Sequence, residues 1–354
     1  MKKLLFILLL TFIFTQDEFR GFKKFYDFED RPVDACYGDN FVFTVKGDTF
    51  SCPIYDGGTY DFTIDWGDGD TSLVTSYNDA DRYHKYSSSG TYEVRIDGTL
   101  YGWRFNNGGT KSQLYQILNW GNGTFRLGNG NGYYYGCDNL ISITSDDVLD
   151  LTGTTDFTTM FRGCGSLTSV GDLSSWDIGS VTTLYGVFLG CASLVSVDLS
   201  SWDTGNITTL YGTFWGCGSL TSVGDLSSWD IGSVTTANRM FQNCSSLGSV
   251  GDLSSWDTGS VTNMAYMFLG CTKITSVGAE SWDITSLTDA TLMFSGVTLS
   301  TAEYSELLIN WEAQEENADV TFHGGNSKYS AGDAATARAA LVGNGWTITD
   351  GGQE

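Results

Sequence analysis

The sequence repeats with a period of 26 or 27 residues between residues 137 and 297. When the repeats are aligned on cysteine, the column contains Cys137, Cys164, Cys191, Cys217, Cys244 and Cys271. A fixed period in this range is typical of stacked supersecondary units, in which each unit contacts its neighbours and all share one continuous core. The repeats therefore constrain the fold more than any other feature, and they predict a solenoid of about six turns.

Each repeat carries the same apolar pattern around its cysteine. An aromatic residue precedes the cysteine by three positions, and a tryptophan follows it by eleven or twelve, except in the first repeat, which has Leu149 there. We predict that these residues pack in the core: Phe161, Phe188, Phe214, Phe241, Phe268, Trp176, Trp202, Trp229, Trp256 and Trp282. Each unit is expected to contain a short L-x-S-V strand, an S-S-W-D corner, and a returning helical or 3₁₀ turn. The extra glycine of the 27-residue repeats is expected to form a bulge.

The motif Phe-x-x-Cys-x-x-Leu-x-Ser-Val, followed by Leu-Ser-Ser-Trp-Asp, resembles the BspA-type leucine-rich-repeat surface proteins. This resemblance implies a solenoid similar to leucine-rich repeats, display on a surface, and adhesion. Residues 298–354 resemble the segment that often ends such arrays. We predict helices over 301–314 and 331–342 there, with strands over 319–322 and 345–348, as an α+β cap.

Residues 39–98 contain short β-branched and aromatic runs separated by turn residues, which is typical of a β-sandwich. The expected strands are 41–45, 60–64 and 91–96. The W-G-D-G turn at 66–69, the H-x-Y pair at 84–86 and the G-T-Y-x-V run resemble the polycystic-kidney-disease (PKD) domain. That family implies an immunoglobulin-like sandwich that acts as a spacer or adhesion module.

The expected fold class is therefore mainly β with short helices. An immunoglobulin-like sandwich is followed by a junction and N-terminal solenoid cap over residues 99–136, then by the solenoid and the C-terminal cap. Gly67 and Gly69 are expected to permit a tight turn in which Asp68 bonds to nearby backbone.

Residues 1–16 have the pattern of an export signal. Lys2 and Lys3 precede an almost entirely apolar run from Leu4 to Phe14, which is shorter than the ~20 residues that span a bilayer. A retained N-terminal anchor stays open because no small-x-small cleavage site follows. With residues 17–38 as a linker, the sequence predicts a secreted or cell-surface protein, or one on a virion, with no membrane span in the mature chain.

The charge balance and the histidine count exclude several classes of function. The chain has 18 Lys and Arg against 42 Asp and Glu, so it cannot assemble the basic surface that nucleic-acid binding requires. Only His84 and His323 are available for general-base or zinc chemistry. No catalytic or nucleotide-binding motif is present, so we expect a non-enzymatic protein without a cofactor. A polysaccharide-degrading enzyme is disfavoured because no carboxylate pair is unique.

The cysteine column is expected to contain buried thiols. Stacked neighbours would lie ~4.8 Å apart with parallel Cβ directions, whereas a disulfide requires converging Cβ atoms. Cys36 and Cys52 are the only pair considered for a bridge, and the sequence leaves their state open. The tryptophan column is expected to be core packing rather than a platform for sugars.

An aspartate follows each repeat tryptophan, and two interpretations of this column stay open. The first is an Asx turn, in which each carboxylate accepts nearby backbone N–H groups. The second is weak Ca²⁺ binding, with Asp177, Asp203, Asp230 and Asp257 as candidate ligands.

The sequence thus predicts a non-catalytic adhesion or recognition protein that binds an extracellular protein or glycan through its repeats. The alternative is a structural spacer or phage virion appendage without its own ligand. Near-identical repeats favour this alternative, because a specific binding face usually varies between repeats.

Overall fold

The computed structural model describes residues 38–354. The predicted export signal, the predicted linker up to residue 37 and Cys36 lie outside the described residues. The chain divides into two units, and the second, Asp39–Glu354, contains every element described below.

The N-terminal part of this unit is a seven-stranded mixed sheet with the order β3-β2-β4-β1-β5-β7, in which β6 pairs separately with β4. The strands are β1 (Phe41–Ser51), β2 (Thr59–Asp65), β3 (Thr71–Val74), β4 (Tyr83–Tyr101), β5 (Leu114–Asn119), β6 (Phe125–Arg126) and β7 (Ser142–Ile143). Pairs among β1 to β5 are antiparallel, whereas β6 and β7 join in parallel.

Alternation of apolar and polar residues explains why these segments form strands. In β2, Tyr60, Phe62 and Ile64 are buried while the intervening residues are exposed, as expected for a strand with one face on the core. The first half of β1 is buried at every position, so both faces of the sheet are covered there. The Phe41 ring stacks on Phe125 with centroids 4.0 Å apart.

The predicted immunoglobulin-like sandwich is wrong, because these strands form one mixed sheet. The 19-residue strand β4 pairs with β1 over Tyr83–Ile96 and with β2 over Arg95–Tyr101. The second edge of β1 is occupied by β5, which lies in the predicted junction. The strands expected to form two layers are therefore hydrogen-bonded side by side.

The predicted solenoid with a strand in each turn is also wrong. No sheet runs along the repeats in the part of the chain that the structure describes. The L-x-S-V segments form isolated parallel bridges, such as Ser196–Ser222 and Ser222–Ser249. Gly171, Gly224 and Gly251 follow the valine with φ of 73°, 83° and 88°. The left-handed backbone at these glycines ends the extended segment, which is therefore too short to form a strand.

The returning segment of each repeat also differs from the prediction, since it forms hydrogen-bonded turns rather than a helix. Short 3₁₀ helices lie instead at the corner, at Leu253–Ser255 and Ala279–Ser281. Two further 3₁₀ helices, Ala80–Arg82 and Lys111–Gln113, lie in the N-terminal part.

Backbone hydrogen bonds and ring stacking join each repeat to the next in the absence of a sheet. Phe161 N–H donates to the Val187 carbonyl and Phe188 N–H to the Thr213 carbonyl, each at 2.8 Å. The column aromatics from Tyr134 to Phe294 stack with centroids 5.3 to 5.6 Å apart. Burial of these rings stabilises the contact between neighbouring repeats.

The C-terminal part contains helices α1 (Thr301–Glu312) and α2 (Asp333–Gly343) and the parallel strands β8 (Thr321–His323) and β9 (Thr347–Thr349). Each begins within two residues of its predicted position. The Ser300 hydroxyl accepts the Glu303 N–H and starts α1. Trp311 of α1 donates its indole N–H to the Ala279 carbonyl at 2.9 Å, which fixes α1 to the last repeats.

Candidate binding surface

The six column cysteines are buried and unpaired. Five of them make a contact that the sequence did not reveal: the thiol donates to the carbonyl of the aromatic residue in the preceding repeat. These bonds are Cys164 to Tyr134, Cys191 to Phe161, Cys217 to Phe188, Cys244 to Phe214 and Cys271 to Phe241, at 3.0 to 3.2 Å. The column therefore connects successive repeats.

Burial makes these thiols unreactive. It raises the pKa of Cys271 to about 12 and that of the other column thiols well above the usual range. The thiol rather than the reactive thiolate is then the native form. Cys52 is likewise a buried, unpaired thiol.

The tryptophan column offers no platform for a ligand, because its indoles are at most 5% exposed. Each indole N–H from the second tryptophan onward donates to the carbonyl of the corner leucine one repeat earlier. The pairs are Trp202 with Leu173, Trp229 with Leu199, Trp256 with Leu226 and Trp282 with Leu253, at 2.9 to 3.2 Å. The tryptophans therefore pack in the core and join neighbouring repeats.

The four Ca²⁺ candidates form Asx turns. Asp177, Asp203, Asp230 and Asp257 each accept, at 3.1 to 3.3 Å, the N–H of the glycine two residues later. Their carboxylates do not form a group of three ligand atoms within 4.8 Å of one another. These aspartates occupy the same position of successive repeats, but they do not share a coordination sphere, which for Ca²⁺ holds six to eight oxygens.

Asp68, Asp70 and His84 are the one group within residues 38–354 whose ligand atoms lie within 4.8 Å of one another. His84 Nε2 lies 2.8 Å from Asp68 Oδ2, and the Asp70 N–H donates to Asp68 Oδ1. Burial raises the pKa of Asp68, but hydrogen bonds from His84 and from the Asp70 backbone outweigh it and hold that pKa below its usual value. The His84 ring of β4 also stacks on Trp66 at 4.9 Å, so this group is explained as a contact between β4 and the turn that joins β2 to β3.

Chemical variation between repeats concentrates at three positions around the column phenylalanine. Three residues before it stand Tyr185, Tyr211, Asn238, Ala265 and Thr291, and two before it Gly186, Gly212, Arg239, Tyr266 and Leu292. One residue after it stand Leu189, Trp215, Gln242, Leu269 and Ser295. Aromatic, aliphatic, amide and cationic side chains thus alternate there, whereas the corner S-S-W-D is almost constant.

Several of these variable side chains contact one another. The Arg239 guanidinium carbon lies 4.9 Å from the centre of the Trp215 ring and 4.2 Å from the centre of the Tyr266 ring. Its Nη1 donates to Gln242 Oε1 at 2.6 Å. We call Leu189, Trp215, Arg239, Gln242 and Tyr266 the Arg239 patch. Beside it, the Tyr185 and Tyr211 rings stack at 4.7 Å.

Arg239 lies two residues before the column phenylalanine, and the backbone at this position is left-handed in the other repeats as well. The residues two before the phenylalanine have φ between 53° and 61°: Thr159, Gly186, Gly212, Arg239, Tyr266 and Leu292. Glycine adopts this conformation without strain, whereas other residues lose about 1 kcal/mol. Arg239 and Tyr266 therefore occupy positions where glycine would be more stable.

No carboxylate of the described residues neutralises the charge of Arg239. The ion pairs formed by residues 38–354 involve His84, Arg95, Arg126 and Arg338, so Arg239 has no carboxylate partner there. Arg82, Arg104 and Arg162 share this lack of a carboxylate partner, but among the described residues only Arg239 lies over two aromatic rings. Sequence reasoning missed this patch, although the departures from the repeat consensus at 215, 239 and 266 are visible in the aligned sequence.

Three overlapping stretches of the chain, 155–251, 196–307 and 222–330, match the family described as Mycoplasma protein of unknown function, DUF285. The repeats are similar to DUF285. Together the stretches cover 155–330, just under half of the chain, and the seven-stranded sheet precedes them. The Arg239 patch lies in the DUF285-like part. No curated protein and no solved structure matches the chain.

Proposed function

We propose that this chain is a secreted or surface-displayed, non-catalytic recognition protein that binds an extracellular protein or glycan through its repeats. The observation that carries the proposal is the distribution of variation. The phenylalanine, cysteine and tryptophan columns that join the repeats hardly change, whereas the side chains of the Arg239 patch differ from repeat to repeat. Tryptophan, tyrosine and arginine are the residues that most often dominate binding energy at interfaces.

The predicted export signal at residues 1–16 supports an extracellular location. The resemblance of the repeats to BspA-type surface proteins supports surface display in the same way. Within residues 38–354, no helix is long and apolar enough to cross a membrane.

The environments of the two histidines support a non-catalytic role. His84 is engaged by Asp68 and by the Trp66 ring. His323 accepts the Gly325 N–H on Nδ1 at 3.1 Å, and burial holds its pKa below the usual value. The repeated aspartates are occupied by Asx turns, so neither residue type is poised as a general base.

One observation favours a structural spacer or virion appendage instead. The corner residues S-S-W-D recur almost unchanged along the repeats, which stacking alone explains. The two proposals differ in whether the variable positions have a ligand.

A binding array distinguishes the proposals. The full chain is labelled and applied to immobilised glycans and extracellular proteins, and a Trp215→Leu variant is applied in parallel. Leucine occupies the same position in two other repeats, at Leu189 and Leu269, so this variant tests the ligand contact with little effect on stacking. We expect binding by the wild-type chain that weakens in the variant. The absence of any ligand across the array would support the structural spacer.

A further inference from the structure

We propose that the Arg239 patch binds the carboxylate of an acidic sugar, a sialic or uronic acid residue of a glycan. This inference rests on the proposed function and specifies its ligand class. It follows from the charge of Arg239, from the orientation of its guanidinium and from the partly exposed aromatic side chains around it.

The guanidinium of Arg239 has hydrogen-bond donors to spare. Nη1 donates to Gln242, and no side chain or backbone group of residues 38–354 accepts from Nε or Nη2. A guanidinium presents its N–H groups as a planar fork that matches the two oxygens of a carboxylate. Because no acidic side chain of the described residues neutralises Arg239, an anionic ligand would supply the missing partner.

The surroundings hold this fork in place before a ligand arrives. The guanidinium lies between the Trp215 and Tyr266 rings, at 4.9 and 4.2 Å from their centres, and cation–π attraction stabilises this position. Gln242 is only 8% exposed, so it anchors Nη1 firmly. Little side-chain freedom is then lost on binding, which favours affinity.

Partly exposed apolar side chains lie next to the fork. Gly186 and Gly212 precede Arg239 at the same position of successive repeats, and each contributes no side chain. A β-carbon added at Gly212 would lie 3.7 Å from the Trp215 Cβ and 3.7 Å from Leu189 Cδ1. Gly186 and Gly212 are thus buried beneath neighbouring side chains. Leu189 and Trp215 are themselves partly exposed, and the C–H face of a pyranose ring can pack against them.

The charge of the chain favours a sugar over an acidic peptide. The patch has a single guanidinium, which pairs with a single carboxylate. A peptide rich in Asp and Glu would bring additional negative charges towards a chain of net charge −24, and these would be repelled. A glycan carries one carboxylate on each acidic residue, with neutral hydroxyls around it.

The test uses the full chain and multivalent polymer conjugates, because single sugar contacts are weak. The probes carry 3′-sialyllactose, a glucuronic-acid-terminated disaccharide, or lactose as the neutral control, and a poly-glutamate peptide tests the rival ligand. We expect one or both acidic sugars to bind and lactose not to bind. The two acidic probes distinguish a sialic acid from a uronic acid.

Two variants of Arg239 connect binding to the patch. Arg239→Gly introduces the residue found at Gly186 and Gly212, so the left-handed backbone is retained, and we expect at least about a ten-fold loss of affinity. Arg239→Lys keeps the charge but loses the fork, so its affinity should lie between those of the wild type and of Arg239→Gly. Lys273→Ala removes one positive charge from an exposed position outside the patch and should leave affinity unchanged.

The inference is overturned if neither acidic sugar binds, if lactose binds equally, or if Arg239→Gly leaves the affinity unchanged while its melting temperature matches the wild type. Poly-glutamate binding that depends on Arg239, without sugar binding, would also overturn it. If the acidic sugars fail but another glycan or protein on the array binds, only this inference is lost. If nothing binds, the proposed function fails as well.

Discussion

At the scale of single residues, Tyr134 shows how closely the repeats are packed. It occupies the aromatic column where later repeats have phenylalanine, and its ring stacks on Phe161 at 5.3 Å. Its hydroxyl is buried without a hydrogen-bond partner, and burial raises its pKa well above the usual range. A buried hydroxyl without a partner destabilises the folded state.

Tyr134→Phe should therefore raise the free energy of unfolding by about 1 kcal/mol, because it removes only the unpaired hydroxyl. Tyr133→Phe is the matched control. The Tyr133 hydroxyl donates to the Gly128 and Gly130 carbonyls at 3.0 and 2.7 Å, so its loss should destabilise the fold. Urea denaturation of both variants measures the difference, and a destabilised Tyr134→Phe would contradict this description of the column.

The glycines of the W-G-D-G turn make a second prediction at this scale. Gly67 and Gly69 both have positive φ, at 81° and 100°. A β-carbon at Gly67 would lie 2.4 Å from the Glu93 carbonyl oxygen, whereas one at Gly69 would meet nothing within 4 Å. Gly67 thus faces a close approach of the backbone in addition to its left-handed conformation.

Gly69→Ala should cost about 1 kcal/mol of unfolding free energy, from conformation alone. Gly67→Ala should cost about 2 to 4 kcal/mol, because overpacking against the β4 backbone is added to it. Thermal or chemical denaturation of the two variants compares these costs directly. Equal effects would show that the close approach to Glu93 is not a constraint.

At the scale of elements, the corner of each repeat depends on ionised aspartates. Ser174 N–H donates to Asp172 Oδ1 at 2.8 Å, and Ser227 N–H to Asp225 Oδ1 at 3.0 Å. These backbone hydrogen bonds hold the pKa of Asp172 and Asp225 below the usual value, and bonds from the Ser200 side chain and backbone do the same for Asp198.

Because their pKa is lower in the folded state, these carboxylates stabilise the fold above the unfolded-state pKa of about 3.9. That contribution should be lost as the pH falls below about 4 through the folded-state values. The melting temperature, measured between pH 6 and pH 2.5, should therefore decrease at the acidic end. Replacing Asp172, Asp198 and Asp225 with asparagine keeps an Asx acceptor but should reduce this decrease. An unchanged pH dependence would exclude the corners as its source.

Local sequence patterns predicted some elements well. The alternation at 60–64 located β2, and the Ser300 cap with the apolar residues that follow it located α1. The errors came from non-local pairing and from backbone conformation. Nothing in the 83–101 sequence shows that β4 pairs with β1 on one edge and β2 on the other, so local patterns predict two layers where one sheet forms.

The strand expected in each repeat failed for a different reason. In the 27-residue repeats, a glycine such as that of Val170-Gly171-Asp172 has a positive φ that ends the extended backbone, whereas the sequence pattern predicts a tolerated bulge. The buried columns could be predicted because their spacing alone identifies them. The Arg239 patch could not be predicted from that pattern, because its significance depends on which side chains meet across neighbouring repeats.

At the scale of the whole molecule, the buried thiols report how cooperatively the repeats unfold. The column cysteines are distributed along the repeats, and their thiols are held protonated by burial. In the native state we expect none of the six to react with a thiol reagent at neutral pH, and all to react in denaturant. Because each repeat is hydrogen-bonded to its neighbours, Cys191 and Cys217 should become reactive only with global unfolding.

Mass spectrometry after pulse labelling at increasing urea concentration identifies which cysteine reacts, so any reaction of Cys36 is distinguished. A central thiol that reacts before the unfolding transition would show that the repeats open independently. Blocked thiols in denaturant would show disulfides in the column instead.

The central claim is that the constant residues join the repeats whereas the variable patch recognises a ligand. The most direct test combines Trp215→Leu with Arg239→Gly, since both new residues occur at the same positions of neighbouring repeats. Binding of this double variant to the wild-type ligand and its melting temperature are measured together. We expect binding to be lost while the melting temperature stays within a few degrees of the wild type. Retained binding by the folded double variant would contradict it.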